Sequence, residues 1–118
     1  MFEATLKTLV DKVQGAHGAA VLNLDGLVIE AVDAKGALVE PDQALPEYGL
    51  ILRQLADLGD AAAIGGVEQV TVDGEKRTTL VRKLDDNYVA ALVVDSGSIL
   101  GKAHFYLRVA APDLAREL

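Results

Sequence analysis

At 118 residues the chain has the length of one small domain, read here as running from 1 to 118, and it has no cysteine to staple it. Its apolar content of 51 % is almost wholly aliphatic, with no Trp, two Phe and three Tyr. That is enough for a core that removes roughly 65 % of the unfolded surface from water without disulfide or metal. The net charge of −7 leaves no positive footprint for a nucleic acid, and the missing thiols exclude disulfides and thiolate metal sites and fit a reducing cytoplasm.

Phe2, Leu6, Leu9, Val10 and Val13 recur at three- and four-residue steps and predict a first helix over Phe2–Gln14, closed by Gly15. This opening is acidic and amphipathic rather than a basic stretch before an apolar run, so no signal peptide is predicted. No apolar run approaches the ~20 residues of a membrane span. Strand one, Ala19–Leu24, is apolar on both faces at its start and so is placed centrally in a sheet. Asp25-Gly26 turns it into a second strand ending at Val32, a hairpin signal. Residues 33–46, with Gly36 and two prolines, read as loop.

The middle helix is expected over Glu47–Ile64. Tyr48, Ile51, Leu55, Leu58 and Ala62 form one apolar stripe, expected on the sheet. Leu52, Ala56, Gly59 and Ala63 form a second, about 100° round the helix. The second stripe is small-sided and either admits another helix backbone or packs under a loop, with Gly59 a weakness or a break. Three further strands follow, Val67–Val72, Thr78–Leu84 and Tyr88–Val94, joined by Asp73-Gly74 and Asp85-Asp86-Asn87. Val67–Val72 falls at an edge if strand order follows the hairpins, and it lacks the proline and charge that usually protect one. Ser96 or Ser98 is expected to cap the last helix, and Pro112 predicts a kink or break near Ala110–Ala111. The predicted fold class is α+β, a five-stranded antiparallel sheet with helices on both faces, in the order α-β-β-α-β-β-β-α.

Candidate chemistry is thin. Gly97-Ser98-Ile99-Leu100-Gly101-Lys102 lies between strand and helix as a phosphate loop does. It has three residues between its glycines instead of four, and Ala103 stands where a magnesium-binding hydroxyl belongs. His17 and His104 lack a second histidine or acidic partners at ligand spacing. Asp85-Asp86 is turn chemistry. No catalytic residue, cofactor or metal site is predicted, and the chain is not expected to be an enzyme. The segment Glu30–Asp60 sets seven acids against Lys35 and Arg53. This acidity keeps an apolar domain soluble or faces a basic partner.

Gly18-Ala19-Ala20-Val21-Leu22 followed by Asp25-Gly26-Leu27-Val28-Ile29, with a closing helix from Ile99-Leu100-Gly101 to Leu107, resembles the Roadblock family of dynein-light-chain-like domains, and within it the bacterial stand-alone members similar to MglB. The resemblance covers nearly the whole chain and implies a longin-like fold. It also implies a non-catalytic homodimer that regulates or scaffolds a small Ras-like GTPase, or else an adaptor in a motor, polarity or signalling complex without a GTPase. The expected dimer interface combines Leu52, Ala56, Gly59 and Ala63 with Val67, Gln69, Val70, Thr71 and Val72. Arg53, Gln54, Asp57 and Asp60 are the expected partner-binding residues.

Overall fold

Helix α1 (Glu3–Lys12) forms where the sequence pattern places it, and Phe2, Leu6, Leu9, Val10 and Val13 are all buried. Its entry is fixed by Glu30, whose carboxylate accepts the Phe2 N–H at 2.6 Å. The computed structural model describes residues 1–41 and 43–118, the side chains of Asp60 and Ala61 excepted. Beyond α1 the elements are β1 (Ala16–Asn23), β2 (Val28–Asp33), α2 (Leu45–Ala61), β3 (Gln69–Asp73), β4 (Arg77–Lys83), β5 (Tyr88–Asp95) and α3 (Leu100–Arg116). This is the expected α-β-β-α-β-β-β-α order.

The sheet runs β2-β1-β5-β4-β3, with every neighbouring pair antiparallel. Successive side chains point to opposite faces, and the apolar runs of the central strands therefore feed two cores. Ala19, Val21, Ala90, Leu92 and Val94 pack beneath α1 and α3 with Leu6, Leu107 and Leu114. Ala20, Leu22, Val81, Val89 and Ala91 pack beneath α2 with Leu45 and Leu52. Each fully buried Leu or Val in these layers contributes about 1.5–3 kcal/mol of transfer free energy.

The last helix departs from expectation at both ends. Ile99 is its N-cap, with no side-chain capping bond, and the Ser98 N–H is engaged in a turn to the Asp95 carbonyl. Neither serine caps the helix. Pro112 does not break it either, for α3 runs on to Arg116. The carbonyl that loses its donor to the proline ring belongs to Arg108, and both residues are exposed, so water replaces the missing bond.

Helix α2 starts two residues early at Leu45 and closes at Ala61. Gly59 is no break. The Ile64 N–H returns to the Gly59 carbonyl at 3.2 Å while Ala63 takes φ +59°, which is a Schellman-type close with alanine in the left-handed position that glycine usually fills. Gly59 itself is closely approached, since a Cβ there would stand 2.7 Å from the Gly65 carbonyl oxygen.

Two substitutions in this turn should therefore move stability in opposite directions. Ala63→Gly relieves the left-handed alanine and is expected to add about 1 kcal/mol, raising the thermal midpoint by about 4 °C in calorimetry. Gly59→Ala would ordinarily favour a helix by about 1 kcal/mol. Here it must displace backbone, and a lowered midpoint is expected.

Candidate functional site

The two stripes of α2 are disposed opposite to expectation. Leu52 is 5 % exposed and belongs to the core beneath α2, Ala56 is half-buried and Gly59 is buried. The other stripe turns outward, with Ile51 45 % and Leu58 56 % exposed and Leu55 half-buried between them. The reason lies in the glycines. A Cβ on Gly49 would stand 2.4 Å from the Asn23 carbonyl oxygen, and Gly59 meets the turn after the helix. The small residues thus seat α2 closely on its own chain, and the larger aliphatics are left on the flank. Leu52 and Gly59 are accordingly removed from the expected interface. Ala63 lies beyond the helix end, exposed, in the left-handed conformation.

The edge strand is shorter than expected, and Val67 precedes it. Its backbone is half engaged. The Lys83 N–H donates to the Glu68 carbonyl at 2.8 Å and the Gly74 N–H to the Arg77 carbonyl at 2.9 Å. By antiparallel alternation Val70 and Val72 bond to β4, while the peptide groups of Gln69, Thr71 and Asp73 point away from it. The opposite edge of the sheet is treated differently. On β2 the Ala31 carbonyl accepts from the Val39 N–H and the Asp33 N–H donates to the Ala37 carbonyl, so residues 37–39 cover that edge.

β3 is also braced from behind. Arg82 Nη1 donates to Gln69 Oε1 at 3.0 Å, which fixes the amide so that Gln69 Nε2 faces His104 Nδ1 on α3. His104, a candidate without partners in the sequence, is a tie between the edge strand and the helix behind it. His17 pairs through Nε2 with Asp95. Among the described residues no group of three or more His, Cys, Asp or Glu is placed to hold a metal ion.

The four expected partner-binding residues are not equivalent. Arg53 donates to the Leu24 carbonyl at 3.1 Å and to Asp25 at 2.9 Å, tying α2 to the β1–β2 turn. Gln54 and Asp57 are exposed on the outer face. The Asp60 side chain lies outside the described residues. What sequence reasoning missed is the outward Ile51–Leu58 ridge. Its signal was the pair Gly49 and Gly59, ten residues apart at opposite ends of one helix face. The Gly97–Lys102 segment forms the turn into α3 and the first residues of that helix.

No family model matches the chain, and no curated protein does. Solved structures do. MglC from Myxococcus xanthus is 30 % identical with TM-score 0.71, over 99 % of this chain and 98 % of that one. The gliding protein MglB from Thermus thermophilus is 22 % identical with TM-score 0.75, covering 96 % of this chain and 84 % of that one. A Roadblock/LC7 domain from Streptomyces avermitilis, 18 % identical, superposes with TM-score 0.73 over 98 % of this chain and 95 % of that one. Among the described residues no helix is long and apolar enough to cross a membrane. With likeness running end to end at 30 % identity to MglC, the chain belongs to the Roadblock family of MglB- and MglC-like proteins.

Proposed function

We propose that the protein is a homodimeric, non-catalytic regulator or scaffold of a small Ras-like GTPase, acting in the cytoplasm as one Roadblock domain. The observation that carries the reading is a juxtaposition. The uncovered backbone of Gln69, Thr71 and Asp73 follows Val67, which stands beside Gly59 at the end of α2, and the flank of that helix exposes Ile51 and Leu58 with Leu55 half-buried between them. An edge of this kind is satisfied by a second copy of itself, and a two-fold axis at Thr71 sets Gln69 of each copy against Asp73 of the other. The same axis brings the two α2 helices towards each other on one side of the joined sheet. Ala56, Ala63, Val67, Val70 and Val72 remain in the proposed interface, and Ile51, Leu55 and Leu58 join it.

Dimerisation through β3 predicts a specific sensitivity. Thr71→Pro removes an N–H that points away from β4, so the fold is expected to survive while the pairing fails. Light scattering at micromolar concentration should give a dimer for the wild type and a monomer for this variant, with unchanged circular dichroism. A monomeric wild type ends the proposal.

The GTPase is expected to meet the outer face of α2, where Gln54 and Asp57 stand exposed beside the ridge in the acidic middle of the chain. An acidic rim favours a basic surface and makes association weaken with salt. Pull-down against the Ras-like GTPases of the same genome, loaded with GTP analogue or GDP, tests this directly. Asp57→Lys should reduce capture several-fold without altering the dimer. The alternative is an adaptor for a motor, polarity or signalling complex. It is favoured by exposed Phe105 and Val109 on α3, which offer a second face for a partner. A stable dimer that captures no GTPase in either nucleotide state moves the function there.

A further inference from the structure

Helix α3 carries an outward stripe that the fold does not use. Phe105 is 58 % exposed and Val109, one turn on, 52 %, and exposed Pro112 continues the line. Lys102 stands about 60° round the helix to one side of Phe105 and Arg108 about 60° to the other. The aromatic ring is held in place without being covered. It meets Tyr106 edge to face at 5.2 Å, and the Lys12 ammonium of α1 lies 5.9 Å from the centre of the Tyr106 ring. Beside Val109 a groove of about 150 Å³ opens between the two helices, lined by Leu9, Tyr106 and Ala110 and by Thr5 and Thr8. That is below the roughly 300–1,000 Å³ of small-molecule sites and suits a single aliphatic side chain.

The cations along this stripe are unanswered. The chain holds 18 acids against 11 Lys and Arg. Even so, neither Lys102 nor Arg108 makes a side-chain hydrogen bond or ion pair among the described residues. The positions three and four residues to either side of each, where a helix would place a partner, hold no acid. Asp95, which shares a hollow with Lys102, is taken by His17. Asp113, which lines the groove, is paired with Arg116, and Asp11 of α1 with Lys7. What fits between these two cations is apolar along one line and acidic beside it.

We propose that α3 is a docking face for an acidic amphipathic helix of another protein. Its apolar side chains lie on Phe105 and Val109 and enter the groove between α1 and α3, and its carboxylates meet Lys102 and Arg108. A helix laid in a groove through anchors at three- and four-residue steps is a recurring mode of recognition. An anionic membrane fits less well, because such surfaces are read by clusters of roughly 4–8 cations and the chain as a whole carries −7. The inference goes beyond the GTPase reading and gives the adaptor reading its partner. Asp57 belongs to α2, on the other side of the sheet from α3, so the two contacts fail separately.

The probe is a synthetic capped peptide of the length of α3, 17 residues, with leucines at three- and four-residue steps and glutamates and alanines elsewhere. Its control replaces every glutamate by glutamine. Calorimetric titration should show one acidic peptide per chain, bound at least about tenfold tighter than the control and weakening several-fold as salt rises from about 50 to about 300 mM. Phe105→Ala, at an exposed position, should weaken binding about tenfold with an unchanged thermal midpoint. Lys102→Glu combined with Arg108→Glu should abolish the preference for glutamate over glutamine while the fold and the oligomeric state stay as they are. Absence of saturable binding, equal affinity for the two peptides, or undiminished binding by Phe105→Ala overturns the proposal. So does sedimentation with phosphatidylserine vesicles in place of peptide binding, which would make the face a lipid contact.

Discussion

The close seating of α2 on its own chain is the constraint from which the surface of this molecule follows. Gly49 against the Asn23 carbonyl and Gly59 against the Gly65 carbonyl leave no room for a side chain at either point. A helix held at both ends by backbone contact cannot roll. Arg53, bonded to the β1–β2 turn, holds the opposite flank. Whatever lies about 90° round from the buried line must then project sideways, and in this sequence that is Ile51, Leu55 and Leu58. Packing at one face thus decides chemistry at another.

The two faces of the sheet show the same economy. Two helices, α1 and α3, cover one face, and their core takes in Phe2 and a full row from Ala19 to Leu114. A single helix serves the other, and one helix about 10 Å wide cannot cover five strands spaced by nearly 5 Å. The strands are small beneath that helix, at Ala20, Ala31 and Ala91, which are buried together with Leu45 and Leu52. Large side chains there would hold the helix off the sheet, so the composition of the central strands matches its close seating. The edges are unequal for a parallel reason. Residues 37–39 double back over β2, whereas β3 is met by nothing on its outer side among the described residues.

Element order and the hairpin neighbours were legible because each rests on local chemistry, whereas the pairing of β1 with β5, about seventy residues apart, joins the two groups without a local signal. Alternation marks the strands, Asp-Gly turns force antiparallel neighbours, and helical spacing marks Leu6 to Val13. The edge position of β3 followed from hairpin connectivity alone. What was not legible was the rotation of α2. Its two stripes are similar in hydrophobicity, and a ranking by apolar bulk sends Ile51 and Leu58 to the core. Only distances decide otherwise, because a glycine faces its own backbone for reasons that do not show in its neighbours. The ends of α3 failed similarly. Ser98 is a good capping residue, yet the turn to Asp95 had already engaged its backbone. Pro112 was harmless because the carbonyl it orphans faces water.

The bracing behind β3 bears on how an open edge is kept usable. An unpaired strand that frays offers no template, and one that is too sticky aggregates. Here Gln69 is locked between Arg82 and His104, and the amide cannot turn without pointing its NH2 at a guanidinium. Thr78 adds a second tie, donating to Asp73 at the other end of the strand at 3.1 Å. Both ties use side chains on the α3 face of the sheet, leaving Val70 and Val72 on the α2 face and the outward peptide groups untouched. Order is therefore supplied from behind, and the strand need not be ordered by whatever binds it. Preorganisation of this kind lowers the entropic cost of adding a strand. It is the physical condition under which so short an edge, five residues long, could hold a second chain.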